Sequence, residues 1–192
     1  MFEQLFNLVK ENAQEDIVNN PVIPNEQNEA VMQEASSSIT STLQSLLASG
    51  NSKDVFALFN SQPDQVPAQP AMQQISGNFI SSLTEKFGIS GAQASGLAGS
   101  LIPNILGKLI GKTNDPSDNS FSIQDIFNKL SNNGTSGLNI PGMLSKFAGG
   151  GLDKDGDGDV DLNDLTAAFS GGGQQSGGGG LLDSLKGMLG GR

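Results

Sequence analysis

The chain has 192 residues, only 35% of them hydrophobic, with 26 glycines, ten phenylalanines, and neither tryptophan nor tyrosine. Its twenty acidic and ten basic residues give a formal charge of −10, and it has no cysteine and no histidine. These counts exclude disulfides, thiol nucleophiles, zinc held by Cys and His, and the commonest general base. Ten scattered cations form no phosphate-binding footprint, so nucleic acid is not expected as a partner.

Nearly every periodic segment has helical spacing, and no run of alternating β-branched residues appears, so the expected class is all-α. Phe2, Leu5, Phe6 and Val9 line one face of a first helix, which Asn20, Pro21 and Pro24 break. The opening Met1–Lys10 stretch lacks the basic head and continuous apolar run of a signal peptide. Pro24 opens a second helix whose stripe is Ile39, Leu43, Leu46 and Leu47, and Gly50 ends it. A short helix over 54–60 turns Val55, Phe56 and Phe59 inward. Residues 61–70 hold three prolines and read as a polar linker or extended loop.

Met72, Ile75, Phe79, Ile80, Leu83 and Phe87 mark the next helix, and Gly88 stops it. Ser90 with Gln93 reads as a capping box for a helix carrying Leu97, Leu101, Ile102, Ile105, Leu106 and Leu109. Pro103 should kink that helix, and Ala92, Gly96 and Ser100 give it a small-residue face for close helix contact. It is too short and too interrupted by polar residues to span a bilayer. Residues 113–120 read as a polar turn. Ser122 caps a short helix with Asp125 three residues on, Phe121 stands where a hydrophobic staple would, and Ile123, Ile126, Phe127 and Leu130 face inward. Lys53-Asp-Val-Phe-Ala-Leu-Phe59 resembles Gln124-Asp-Ile-Phe-Asn-Lys-Leu130, a likeness that chance among amphipathic helices explains better than duplication.

The chemistry is concentrated in Asp153-Lys-Asp-Gly-Asp-Gly-Asp-Val-Asp-Leu-Asn-Asp164, which puts six carboxylates in twelve residues. Mutual repulsion makes such a cluster costly unless a cation sits among them. The spacing matches a twelve-residue EF-hand calcium loop: Asp153, Asp155 and Asp157 at the first three ligand positions and Gly158 at the sharp turn. Asp159 offers its backbone carbonyl, Asp161 a direct or water-mediated oxygen, and Asp164 the closing carboxylate. Val160 is apolar, as a residue packed under the loop should be. Moving the frame two residues either way puts Val160 at the turn or Gly151 at the first ligand, so the register is unique. Hard oxygen ligands select calcium, or magnesium, over zinc and copper. Asp164 is one methylene shorter than the usual closing Glu and no second loop pairs with this one, so the expected dissociation constant is on the order of 10⁻⁵ to 10⁻⁴ M. Pro141 to Phe147 would be the entering helix, loosely tethered through Ala148-Gly-Gly-Gly151, and Leu162 to Phe169 the exiting one. Gly171 to Gly180 is a glycine-rich spacer, and Leu181, Leu182, Leu185, Met188 and Leu189 form a last amphipathic helix.

At Phe87-Gly-Ile-Ser-Gly-Ala-Gln-Ala-Ser-Gly-Leu and Leu101-Ile-Pro-Asn-Ile-Leu-Gly107 the chain resembles the YidB-like family of small bacterial proteins. The resemblance spans roughly residues 72–112 plus the acidic segment. It implies a compact helical domain of bacterial origin and no established activity, so no catalytic residue carries over. The loop itself resembles EF-hands, including dockerin-type loops that also end in Asp.

The expected organisation is an N-terminal helical region (1–60), a Pro-rich linker (61–70), a central helical domain (71–138), the EF-hand-like segment (139–170) and the Gly-rich tail with its helix (171–192). The expected function is non-enzymatic calcium binding, the metal being structural. The alternative is a self-assembling or partner-binding scaffold that uses the amphipathic terminal helices. The other acids, Glu26, Glu29, Glu34, Glu85, Asp115, Asp118 and Asp125, form no catalytic constellation. Membrane binding through the last helix would be weak, with only Lys186 and Arg192 basic there. A cytoplasmic location is expected, the alternative being export without a recognisable signal.

Overall fold

A computed structural model describes residues 2–115, 117–118, 120–132 and 139–148. The described residues are helical, with no strand among them. Seven α-helices are α1 (Phe2–Asn12), α2 (Asn28–Ala48), α3 (Ser52–Asn60), α4 (Pro70–Phe87), α5 (Gly91–Asn114), α6 (Ile123–Leu130) and α7 (Ile140–Ala148). The three longest make the frame. α4 packs on α2 along one side and on α5 along the other, and α1 bridges α2 and α5. α3, α6 and α7 gather around the end of α2, where α3 touches α2, α4 and α7. One continuous apolar core runs through all seven helices.

The apolar stripes named from sequence are the buried ones in α2 to α6. Ile39, Leu43 and Leu46 of α2, Val55, Phe56 and Phe59 of α3, Ile75, Phe79 and Leu83 of α4, and Leu101 to Leu106 on the inner side of α5 are nearly or wholly excluded from solvent. Phe56 and Phe127 stack with ring centroids 5.1 Å apart and planes 16° from parallel, and Phe59 lies tilted over the same Phe127 ring at 5.6 Å. This aromatic trio joins α3 to α6.

Four local expectations are corrected. The inner face of α1 is Leu5, Leu8 and Val9, while Phe2 stays 44% exposed at the helix end. α1 stops at Asn12, and a π-helical turn over Gln14–Val18 follows before the prolines. That turn drops Ile17 into the core and keeps Asp16 outside, against Ser100 of α5. Pro24 precedes a 3₁₀ turn over Asn25–Gln27, and α2 begins only at Asn28. Residues 61–70 are not a free linker. Pro63–Ala68 is a 3₁₀ segment with Gln62 and Gln65 bonded reciprocally at its start, Val66 fully buried, and its length laid on α5.

The expected small-residue contact face of α5 is the solvent side: Ala92, Gly96 and Ser100 are exposed, and Ala94 and Ala98 face the core instead. The close approach occurs at Gly107, where a Cβ would lie 3.6 Å from that of Pro63. α5 runs through Pro103 without ending. Gly88 adopts φ 68°, the left-handed region open to glycine at little steric cost, and the Ile89 N–H returns to the Leu83 carbonyl at 3.2 Å. Ser90 meets Gln93 side chain to side chain at 2.6 Å rather than through a reciprocal backbone box.

Candidate metal centre

The six proposed ligands, Asp153, Asp155, Asp157, Asp159, Asp161 and Asp164, lie outside the described residues, as do the expected exiting helix and the 171–192 tail. What is described is the helix that leads towards them. α7 covers the expected entering helix, and it is held firmly at its N-terminal end. Asn139 is its N-cap: the carboxamide oxygen accepts from the Gly142 N–H at 3.0 Å. The Ile140 N–H, which no helix bond can satisfy, donates to the Gln124 Oε1 of α6 at 3.0 Å. The Asn60 amide at the end of α3 donates to the Leu144 carbonyl at 3.0 Å. Ile140, Met143 and Leu144 are almost fully buried.

Sequence reasoning named none of these three polar anchors. The signal for Asn139 was present: Asn directly before an apolar run with Pro in its first turn is a helix start. Gln124 and Asn60 carry no such signal, because each acts across the fold on a residue far along the chain.

Among the described residues no group of three acids converges to hold a metal. The acids there have other roles. Glu34 of α2 pairs with Lys86 of α4 at 2.8 Å. Asp115 and Asp118 shape the turn after α5. Asp115 Oδ1 accepts from the Ser117 backbone N–H at 2.8 Å and from its hydroxyl at 2.6 Å. Asp118 Oδ1 accepts from the Ser120 N–H at 2.8 Å and from the Ser120 hydroxyl, while Oδ2 takes Lys112 at 2.8 Å.

The hydrogen bond from Lys112 and those from Ser120 hold the Asp118 carboxyl well below the usual carboxylate range. The Ser117 hydroxyl and backbone N–H lower Asp115 likewise. The bond to Asp118, and then its charge, raises Lys112. These carboxylates are therefore ionised turn-formers. Asp125 lies in the first turn of α6, its N–H directed at the Ser122 hydroxyl at 3.4 Å.

Two concavities are present. One, of about 260 Å³, lies between the Asn20–Ile23 segment and the start of α5, with Ile89 and Leu97 in its wall. Asn20 uses its amide on the Asp16 carbonyl and its oxygen on the Val22 N–H, so it points no free polar group into that space. The other, of about 90 Å³, lies among Gln4, Ser120, Asp125 and Lys129. At about 30 Å³ per water it has room for a few solvent molecules and no more. No described helix is long and apolar enough to cross a membrane. Comparison with family models, curated proteins and solved structures finds no match to this chain.

Proposed function

We propose that this is a non-enzymatic helical protein that binds one calcium ion, or magnesium in its place, in the Asp153–Asp164 loop, the ion acting structurally. The alternation of carboxylates with a turn glycine in a single permissible frame carries the reading. The anchoring of α7 supports it. Three polar bonds and three buried apolar side chains fix the helix that leads towards the loop, so ordering beyond it would start from a held end. Asp153, Asp155 and Asp157 would supply side-chain oxygens, Asp159 its backbone carbonyl, Asp161 a direct or water-bridged oxygen, and Asp164 the closing carboxylate.

The resemblance to YidB-like proteins over residues 72–112 adds a helical domain to this proposal and no chemistry. Cytoplasmic placement belongs to the same reading, with magnesium or transient calcium as the occupant. Assembly through α1 has less support. Leu5, Leu8 and Val9 are spent on the chain's own core, and Phe2 alone is left exposed, which is ordinary for a soluble surface.

Calorimetric titration of the full chain with calcium and with magnesium is the test. The expected result is one site with a dissociation constant on the order of 10⁻⁵ to 10⁻⁴ M, weakened at least tenfold by Asp153→Ala. At free calcium about 100 times that constant, linkage should add roughly 2.7 kcal/mol to folding in the wild type and much less in the variant. Equal melting temperatures with calcium and with chelator would overturn the structural role. Equal binding by wild type and Asp153→Ala would overturn the site.

A further inference from the structure

We draw no further inference here: the strongest candidate, the cavity of about 260 Å³ between the Asn20–Ile23 segment and the start of α5, is walled by Ile23, Ile89 and Leu97 side chains that are already more than nine-tenths buried, and nothing in the structure shows what covers it.

Discussion

Phe127 is the residue through which the second half of the chain is held to the first, and its truncation should show it. Its side chain is fully buried, stacked on Phe56 at 5.1 Å and tilted against Phe59 at 5.6 Å. Cutting a buried Phe to Ala removes its transfer free energy and leaves a cavity, a loss of about 3–5 kcal/mol. A domain of this kind is stable by about 5–15 kcal/mol, so the loss is a large share of the total. At roughly 2–4 °C per kcal/mol for a chain of this size, the melting temperature should fall by about 10 °C.

Phe127→Leu separates ring stacking from simple burial. It keeps most of the apolar volume and gives up the aromatic pair terms, worth about 0.5–1.5 kcal/mol each. It should therefore cost about 1–3 kcal/mol, clearly less than Ala. Urea unfolding followed by far-ultraviolet circular dichroism measures both. If Phe127→Ala lost less than about 1 kcal/mol with an unchanged denaturant slope, the ring would not be a core element, and the joining of α6 to α3 would be refuted. A lowered slope instead would mean that α6 and α7 come loose while α1 to α5 remain folded.

Three further outcomes follow from particular contacts. Gly88→Ala should destabilise by about 1–2 kcal/mol, because a Cβ is disfavoured at φ 68°, whereas Gly99→Ala, helical and open to solvent, should stabilise by about 0.5–1 kcal/mol; chemical denaturation of both variants reads the contrast. Thr42→Val removes the oxygen that accepts from the Asn78 amide at 2.8 Å between α2 and α4, and should cost about 1–3 kcal/mol; adding Asn78→Leu should recover part of that loss, since no donor is then left without a partner. The Asp118 carboxyl titrates lower in the folded chain than in the unfolded one, so its contribution is fully present above about pH 4 and is lost as pH falls through the acid range towards the folded value. Lys112 titrates higher when folded, so its contribution is present below about pH 10 and lost above. Asp118→Asn should flatten the dependence of stability on pH below about pH 4, and an unchanged acid limb in urea melts would show that the ion pair does not couple to folding.

Periodicity revealed the helices because a buried stripe must recur about every 3.6 residues, and Leu, Ile and Phe occupy those positions from α2 to α6. It failed where burial does not recur. The Pro63–Ala68 segment buries Val66 and is otherwise polar, so one apolar residue among three prolines looked like a linker. The π-helical turn inserts Ile17 into the core by a change of helical pitch that no spacing rule for an α-helix anticipates. The face of α5 was misjudged for another reason. Small residues permit close approach, but the larger area of Leu97, Leu101, Ile105 and Leu109 decides which side turns inward. The metal loop was legible for the opposite reason to the helices, since its ligands come from consecutive chain positions and need no tertiary partner to be recognised.

The aromatic stack also bears on the weak internal likeness. Phe56 and Phe127 hold equivalent places in the two similar segments, and they are the pair that stacks. The correspondence extends further at the same interval: Pro70-Ala-Met72 opens α4 as Pro141-Gly-Met143 opens α7, with both methionines buried. Chance among amphipathic helices accounts poorly for equivalent rings in contact and equivalent proline starts, so α3–α4 and α6–α7 are better read as counterparts. The counterparts then diverge. α4 continues to Phe87 and secures its second half by burying Phe79 and Leu83. At the equivalent place the second unit reads Gly149-Gly-Gly-Leu-Asp-Lys-Asp-Gly-Asp-Gly-Asp159, which offers Leu152 as its one large apolar side chain. Burial that orders α4 is thus denied to this stretch by composition. Neutralising its carboxylates with a bound dication is the means of ordering that the same residues provide, which makes a structural ion the economical complement to the helices before it.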